Sequence, residues 1–191
     1  MISISLCAKR IPGKADSMNN NTFIHKYIRP LISENDTVVD MTAGNGNDTL
    51  FLARYAKRVL SFDISETAIS RSKEKTKEYH NIEFHLDSHA NIDRYIAQDE
   101  VSLFIFNLGY LPNSDENSVT RPEETLKAFE KAYDLLKHNG YLVITFYLGQ
   151  EGGRDEYYLL NSYINKRRLL IMEAYRQDRM DSPVTYIIYK P

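Results

Sequence analysis

The chain has 191 residues, 42% hydrophobic and 26% charged, a length and balance that suit one soluble domain around one core. With 24 basic against 26 acidic side chains the formal charge is −2, so a nucleic-acid substrate would require a local basic patch rather than a generally basic surface. No apolar run reaches the ~18 residues of a membrane span. The opening MISISLCAKRIPGKADS is too short in its apolar part for a secretory leader, and the single cysteine, Cys7, excludes an internal disulfide, so a cytoplasmic location is expected.

Residues 1–17 read as an irregular segment. Residues 18–33 set Phe23, Tyr27 and Leu31 at helical spacing, with Pro30 expected to kink or end the helix. Residues 37–41 form a first strand, and Asp48 begins a helix to about Ala56. RVLSFD (58–63) is a second strand, followed by a helix to about Tyr79 that Ser65 caps. IEFHL (82–86) is a third strand and 89–97 a short helix. VSLFIFNL (101–108) is continuously apolar, as expected of a strand covered on both faces. Thr120 and Glu123 make a capping-box pattern with Pro122 in the first turn. Leu126, Phe129, Tyr133 and Leu136 form the stripe of that helix, and HNG (138–140) should end it. YLVITFYL (141–148) is a fifth strand, 154–167 a helix, and 169–175 with 184–190 a closing hairpin. The alternation predicts an α/β three-layer sandwich. Its sheet is Rossmann-like, seven-stranded and mainly parallel, with a C-terminal antiparallel hairpin, the usual plan of class I methyltransferases.

In such a sheet the ligand crevice lies beyond the carboxyl ends of the strands. The turn after the first strand, VVDMTAGNGNDT, therefore lines it, with Thr42, Ala43, Gly44, Gly46, Asn47 and Asp48 as candidates. A dinucleotide fingerprint G-x-G-x-x-G starting at Gly44 would have its third glycine at Thr49, which weakens an NAD reading. The S-adenosylmethionine (SAM) loop D-x-G-x-G-x-G fits better. Here it reads Asp40-Met41-Thr42-Ala43-Gly44-Asn45-Gly46, with Thr42 at the first glycine position. SAM carries no phosphate and requires close backbone approach, which Gly44 and Gly46 permit. Asp40 is expected to meet the cofactor ammonium group, directly or through water. Asp63, 23 residues further on and followed by Ile64, ends the second strand where an acid can accept both ribose hydroxyls. Asp87 and Ser88 follow the third strand, where an adenine amino group is often met.

After the fourth strand comes Asn107-Leu108-Gly109-Tyr110, which keeps the first and last members of the Asn/Asp-Pro-Pro-Tyr/Phe motif of amino-directed methyltransferases. A nitrogen attacks a sulfonium methyl only with its lone pair free and aligned. Acceptors at the Asn107 side chain and the Leu108 carbonyl would hold the amine N–H bonds, and Tyr110 would stack on a planar base. An alkylamine has a pKa near ~10, so a desolvated pocket must favour its neutral form.

TVVDMTAGNGNDTLFLA, FNLGYLPNSD, TRPEET and FYLGQEGGRDE together resemble the bacterial rRNA-methylase family, over roughly Phe23 to Tyr189. Its characterised, MnmM-type members are SAM-dependent tRNA methyltransferases that convert 5-aminomethyl(-2-thio)uridine at the wobble position to the 5-methylaminomethyl form. The resemblance implies SAM as cofactor and a tRNA anticodon loop as partner. It sets Asp40, Gly44, Gly46, Asn47, Asp63, Asp87, Ser88 and Asn107 around SAM, with Tyr110 and loop 147–153 (Tyr147, Gly149, Gln150, Gly152) facing the nucleotide. Many members carry G-H-x-x-G in that loop where this chain has Gly149-Gln150-Glu151-Gly152-Gly153. If the histidine only hydrogen-bonds substrate, Gln150 suffices, and that is the expectation; if it accepts a proton, Glu151 or water must replace it.

Other classes stay open at this point: a methyltransferase for rRNA, a small molecule or a protein amine, and a non-catalytic SAM-binding module. A homodimer is neither required nor excluded. His25 and His89 lie near the expected rim without a matching ligand cluster, so no metal is expected. Arg54, Lys57 and Arg58, and Lys166, Arg167 and Arg168, are two basic groups that read as solvated surface or as tRNA phosphate contacts.

Overall fold

The computed structural model describes residues 9–10, 20–108, 122–176 and 181–191. The strands are β1 (Lys9–Arg10), β2 (Thr37–Asp40), β3 (Arg58–Asp63), β4 (Ile82–Leu86), β5 (Val101–Leu108), β6 (Leu136–Phe146), β7 (Leu170–Arg176) and β8 (Val184–Lys190). The α-helices are α1 (Asn20–Ile28), α2 (Asn47–Ala53), α3 (Glu66–Lys75), α4 (Pro122–Leu135) and α5 (Gly153–Arg167). Short 3₁₀ turns occupy Arg29–Leu31 and His89–Arg94.

One sheet runs in the order β1-β7-β8-β6-β5-β2-β3-β4. β8 enters between β6 and β7 and is antiparallel to both, whereas the other pairings are parallel. This matches the expected Rossmann-like plan. The added strand is β1, two residues from the segment expected to be irregular, which pair with Tyr175 and Arg176.

The apolar run of β5 divides between two cores. Leu103 and Ile105 join Val38, Val59 and the inner sides of α1 and α2, while Phe104 and Phe106 join Val39, Leu60, Phe62 and the inner sides of α4 and α5. Strand alternation sends successive side chains to opposite faces, so an uninterrupted apolar strand means helices on both. Asn107 follows Ile105 by two and therefore belongs to the α1/α2 face.

Two local readings differ. The buried stripe of α1 and its 3₁₀ extension is Ile24, Ile28 and Ile32, one position along from the expected one; Tyr27 is exposed and Leu31 half-buried. Both series have helical spacing, but a tyrosine retains a hydroxyl that favours the rim. Pro30 ends α1 as expected, converting its last turn to 3₁₀. The second difference is HNG, which lies inside β6. Leu136 pairs with Val101, Lys137 to Gly140 bulge with Asn139 at φ +63°, and pairing resumes at Tyr141 with Leu103. Asparagine tolerates this left-handed backbone, which serves a bulge as readily as a helix end. Thr120, the expected cap of α4, lies outside the described residues.

Candidate active site

The crevice begins where β2 ends. Gly44 (φ +50°) and Gly46 (φ +75°) adopt left-handed backbone, and a Cβ on Gly46 would lie 2.8 Å from the Ser72 Cα in α3. The Ala43 N–H donates to the Phe62 carbonyl at 2.7 Å and the Gly44 N–H to Asp63 Oδ2 at 2.9 Å, which clamps the turn onto the end of β3. Thr42 replaces a glycine for a visible reason. Its backbone is not left-handed, and its Oγ1 accepts the Asn107 backbone N–H at 2.9 Å, tying the turn to β5.

The acids at the strand ends divide into two kinds. Asp40 is 0% exposed, with Oδ1 accepting the Thr42 N–H (3.0 Å) and Oδ2 accepting the Thr49 hydroxyl (2.6 Å). Burial, with Asp48 alongside, pushes it up to about 7. Asp40, the acid expected to meet a cofactor ammonium group directly or through water, thus lies beneath the loop and shapes it from inside. Asp63 is half-buried and takes the Gly44 N–H and, through Oδ1, the Ser65 N–H at 2.9 Å. Each of its oxygens keeps a second lone pair. Asp87 accepts from Tyr95 Oη (2.7 Å), Asn91 Nδ2 (2.8 Å) and the Ser88 N–H (2.7 Å), and the Tyr95 bond above all holds its carboxyl below the usual range. Ser88 Oγ caps the following 3₁₀ turn by accepting from the Ala90 N–H. Ile64 and Leu86, both 56% exposed, stand beside Asp63 and Asp87 as apolar surface at the same edge. Leu86 escaped the sequence reading because a leucine ending a strand carries no signal of exposure.

Asp48 and Asn47 do something other than expected. Asp48 is buried, with Oδ1 2.5 Å from His25 Nε2 and Oδ2 accepting from Asn107 Nδ2 at 2.9 Å. Its oxygens link α1 to β5. Asn47 turns outward and accepts from Lys75 Nζ. The His25 ring stacks on Phe51, with centroids 4.0 Å apart and planes 10° off parallel. Because a carboxylate only accepts, Asp48 fixes which end of the Asn107 amide faces it, and Oδ1 faces the other way. That oxygen is buried with no hydrogen-bond partner among the described residues. Such orphans are rare enough to mark a site.

Leu108 ends β5 with its side chain buried; Gly109 and Tyr110 lie outside the described residues. Asn107 pairs with Thr145 and Leu108 with Phe146, so turn 147–153 emerges directly beside the end of β5. Tyr147 and Gln150 are half-buried, Gly149 and Gly152 exposed, and the Gln150 N–H donates to the Tyr147 carbonyl at 3.0 Å. The turn is tight: a Cβ on Gly153 would lie 2.2 Å from that same carbonyl oxygen. Behind it, Glu156 of α5 is buried and accepts from the Thr125 hydroxyl of α4 at 2.5 Å, and burial pushes it up to about 7. Sequence reading passed over Glu156, since nothing in GRDE marks one acid as buried. His89 Nδ1 donates to the Met41 carbonyl at 3.2 Å and its Nε2 is buried without a partner; burial lowers its pKa and keeps the ring neutral.

Neither basic group noted in the sequence borders the crevice. Arg54, Lys57 and Arg58 lie between the end of α2 and the start of β3, and Lys166 to Arg168 between α5 and β7, both at the amino ends of the strands. Arg58 is occupied by Glu83 and Glu100, each at 2.6 Å. Among the described residues no group of three or more His, Cys, Asp or Glu could hold a metal ion, and no helix is long and apolar enough to cross a membrane.

A glycine turn at the carboxyl edge, acids after successive strands and the order 3-2-1-4-5-7-6 of the seven longer strands define the class I methyltransferase fold. The model of the family described as "Putative rRNA methylase" matches residues 59–189, and the chain belongs to that family. An rRNA-methylase-family structure from Clostridium thermocellum is 34% identical, with a TM-score of 0.80, covering 91% of this chain and 98% of that one. A methyltransferase-family structure from Streptococcus mutans, in complex with S-adenosylhomocysteine (SAH), is 30% identical with a TM-score of 0.81, covering 91% and 99%. The tRNA (mnm(5)s(2)U34)-methyltransferase, chloroplastic, of Arabidopsis thaliana is 29% identical over 154 residues. The match takes in 73% of this chain, which spans 56% of the length of that relative.

Proposed function

We propose that this chain is a SAM-dependent N-methyltransferase that methylates the 5-aminomethyl group of wobble uridine in tRNA, releasing SAH. The observation that carries the reading is Asn107 Oδ1, a buried acceptor without a partner at the end of β5. An amine donating one N–H there satisfies the orphan oxygen and has its lone pair directed away from it, and holding that geometry lowers the barrier. In this reading Tyr147 and Gln150, in the turn that follows the neighbouring strand, meet the nucleotide, and the Leu108 carbonyl is the second acceptor; the pairing of Asn107 with Thr145 supports it.

The residues present suit SAM. A Cβ on Gly44 would meet the Thr42 carbonyl oxygen at 3.7 Å and nothing nearer, Asp63 has lone pairs for ribose hydroxyls, and Ile64 with Leu86 offers apolar surface to a base. When bound, SAM supplies an electrophilic methyl on a sulfonium. The protein's share is to desolvate the amine, favouring its neutral form, and to aim it. The SAH complex of the Streptococcus mutans relative and the activity named for the Arabidopsis thaliana relative support this choice. The family description favours one second reading, an amine in rRNA.

The test is incubation with isotope-labelled SAM and undermodified tRNA or ribosomes, followed by nucleoside mass spectrometry. Labelled 5-methylaminomethyluridine is the expected product. Label confined to rRNA nucleosides would establish the second reading, and label in neither would sink both.

A further inference from the structure

Asn107 is useful to an amine only when its oxygen, not its NH₂, faces the crevice. A carboxamide is nearly symmetric in shape, and a half-turn of the group would present a donor to the substrate. An amine gripped by a donor has its lone pair occupied and cannot attack. Something must therefore hold the amide one way round, and among the described residues the group bonded to its NH₂ is Asp48, at 2.9 Å.

Asp48 performs this task only while both its oxygens accept. His25 Nε2 of α1 lies 2.5 Å from Asp48 Oδ1, with its ring stacked flat on Phe51. A ring N–H donated to Oδ1 holds that oxygen in place and leaves Oδ2 for the Asn107 NH₂. Three elements far apart in sequence thus form one chain: His25 in α1, Asp48 in the first turn of α2, Asn107 at the end of β5. We infer that His25 is a positioning residue for methyl transfer, acting through Asp48 to set the orientation of the Asn107 amide. This rests on the proposed role of Asn107 toward an amine, and it makes the N-terminal helix part of the catalytic apparatus.

Two variants separate the hydrogen bond from the packing. His25→Phe keeps a ring to stack on Phe51 but has no N–H. His25→Gln restores a donor without the ring. The primary readout is the Asn107 side-chain amide resonance in protein labelled with ¹⁵N-asparagine, assigned by its loss in Asn107→Ala. In His25→Phe it should shift and exchange faster with solvent, and in His25→Gln it should move back toward the wild-type position. An unchanged resonance in His25→Phe overturns the inference, as does a shift that His25→Gln leaves wholly uncorrected.

The activity readout is kcat against KM with tRNA. His25→Phe should lower kcat about tenfold or more, with SAH affinity and tRNA KM within about threefold and a melting temperature near wild type; His25→Gln should recover much of kcat. A wild-type kcat in His25→Phe overturns the inference. If the wild-type protein itself methylates no tRNA, the proposed substrate fails, and the amide resonance still decides the His25 relay by itself.

Discussion

Asn107→Ala should separate catalysis from stability, because the substitution has offsetting effects on the fold and an uncompensated effect on the chemistry. It deletes the Nδ2–H bond to Asp48, a charge-assisted bond worth about 1.5–3 kcal/mol. It also deletes Oδ1, a buried oxygen whose missing partner costs about 1–3 kcal/mol. The backbone N–H bond to Thr42 Oγ1 survives, so the turn after β2 stays tied to β5. The net change should fall within about 2 kcal/mol, which for a chain of this size moves the melting temperature by no more than about 8 °C. The catalytic loss has no offset. Removing a preorganised polar group aimed at the reacting atoms typically costs about 10²–10³-fold in kcat. Single-turnover methyl transfer from labelled SAM measures the second quantity, differential scanning fluorimetry the first, and calorimetry with SAH checks that cofactor affinity holds within a fewfold. A variant that keeps kcat within threefold of wild type refutes the role given to Oδ1. One that melts more than about 15 °C lower refutes the ledger behind it.

Asp40 is raised to about 7 in the folded chain, so folding favours its protonated form; the stability this contributes is fully present below pH ~4 and is lost as pH rises through about 7. Asp40→Asn should therefore gain on wild type in urea unfolding between pH 5 and pH 8, up to the order of 4 kcal/mol, and a pH-independent difference would contradict the assignment. Glu156→Gln should show the same sign over the same window, since burial also raises Glu156 to about 7. Gly46→Ala combines left-handed backbone with a Cβ 2.8 Å from Ser72 Cα and should cost about 2–5 kcal/mol. Gly44→Ala, whose nearest contact would be 3.7 Å, should cost only the backbone strain of about 1–2 kcal/mol, so equal losses in thermal melts would refute the spatial argument. Gly153→Ala, with its Cβ 2.2 Å from the Tyr147 carbonyl, must displace turn 147–153, and should raise the tRNA KM more than it weakens SAH binding.

The strands were the most legible part of the fold. β3, β5 and β8 have the bounds expected from their apolar runs, because a strand buried on both faces is marked by nearly every residue in it, and the edge strand β4 has its expected bounds too although none of its residues is fully buried. Helix faces were less legible: Phe23-Tyr27-Leu31 and Ile24-Ile28-Ile32 share a period, and only packing against Val38, Leu103 and Val143 chooses between them. HNG is a similar case, since an asparagine with positive φ signals a break in hydrogen bonding without saying whether a helix or a ladder is broken.

The site divides along the same line. Position in the chain revealed which residues stand at strand ends, but not which way each is used, because hydrogen-bond partners come from elements whose packing no spacing encodes. Asp40 and Asp63 look alike as acids closing parallel strands. One is sealed beneath the turn by Thr49, the other is left half-open, and the difference is made by a hydroxyl nine residues from Asp40 that only the fold brings beneath it. Asp48 carries the argument further. As an acid one residue past a glycine loop it reads as a ligand for a cofactor, yet its two oxygens reach His25 and Asn107, 23 and 59 residues away. A motif of Asn107 with its loop thus names the amide that the proposed function turns toward substrate, while the groups linked to its far side are distributed over two other elements. On the proposed relay, transplanting NLGY without Asp48 and His25 would carry over the amide and lose its orientation.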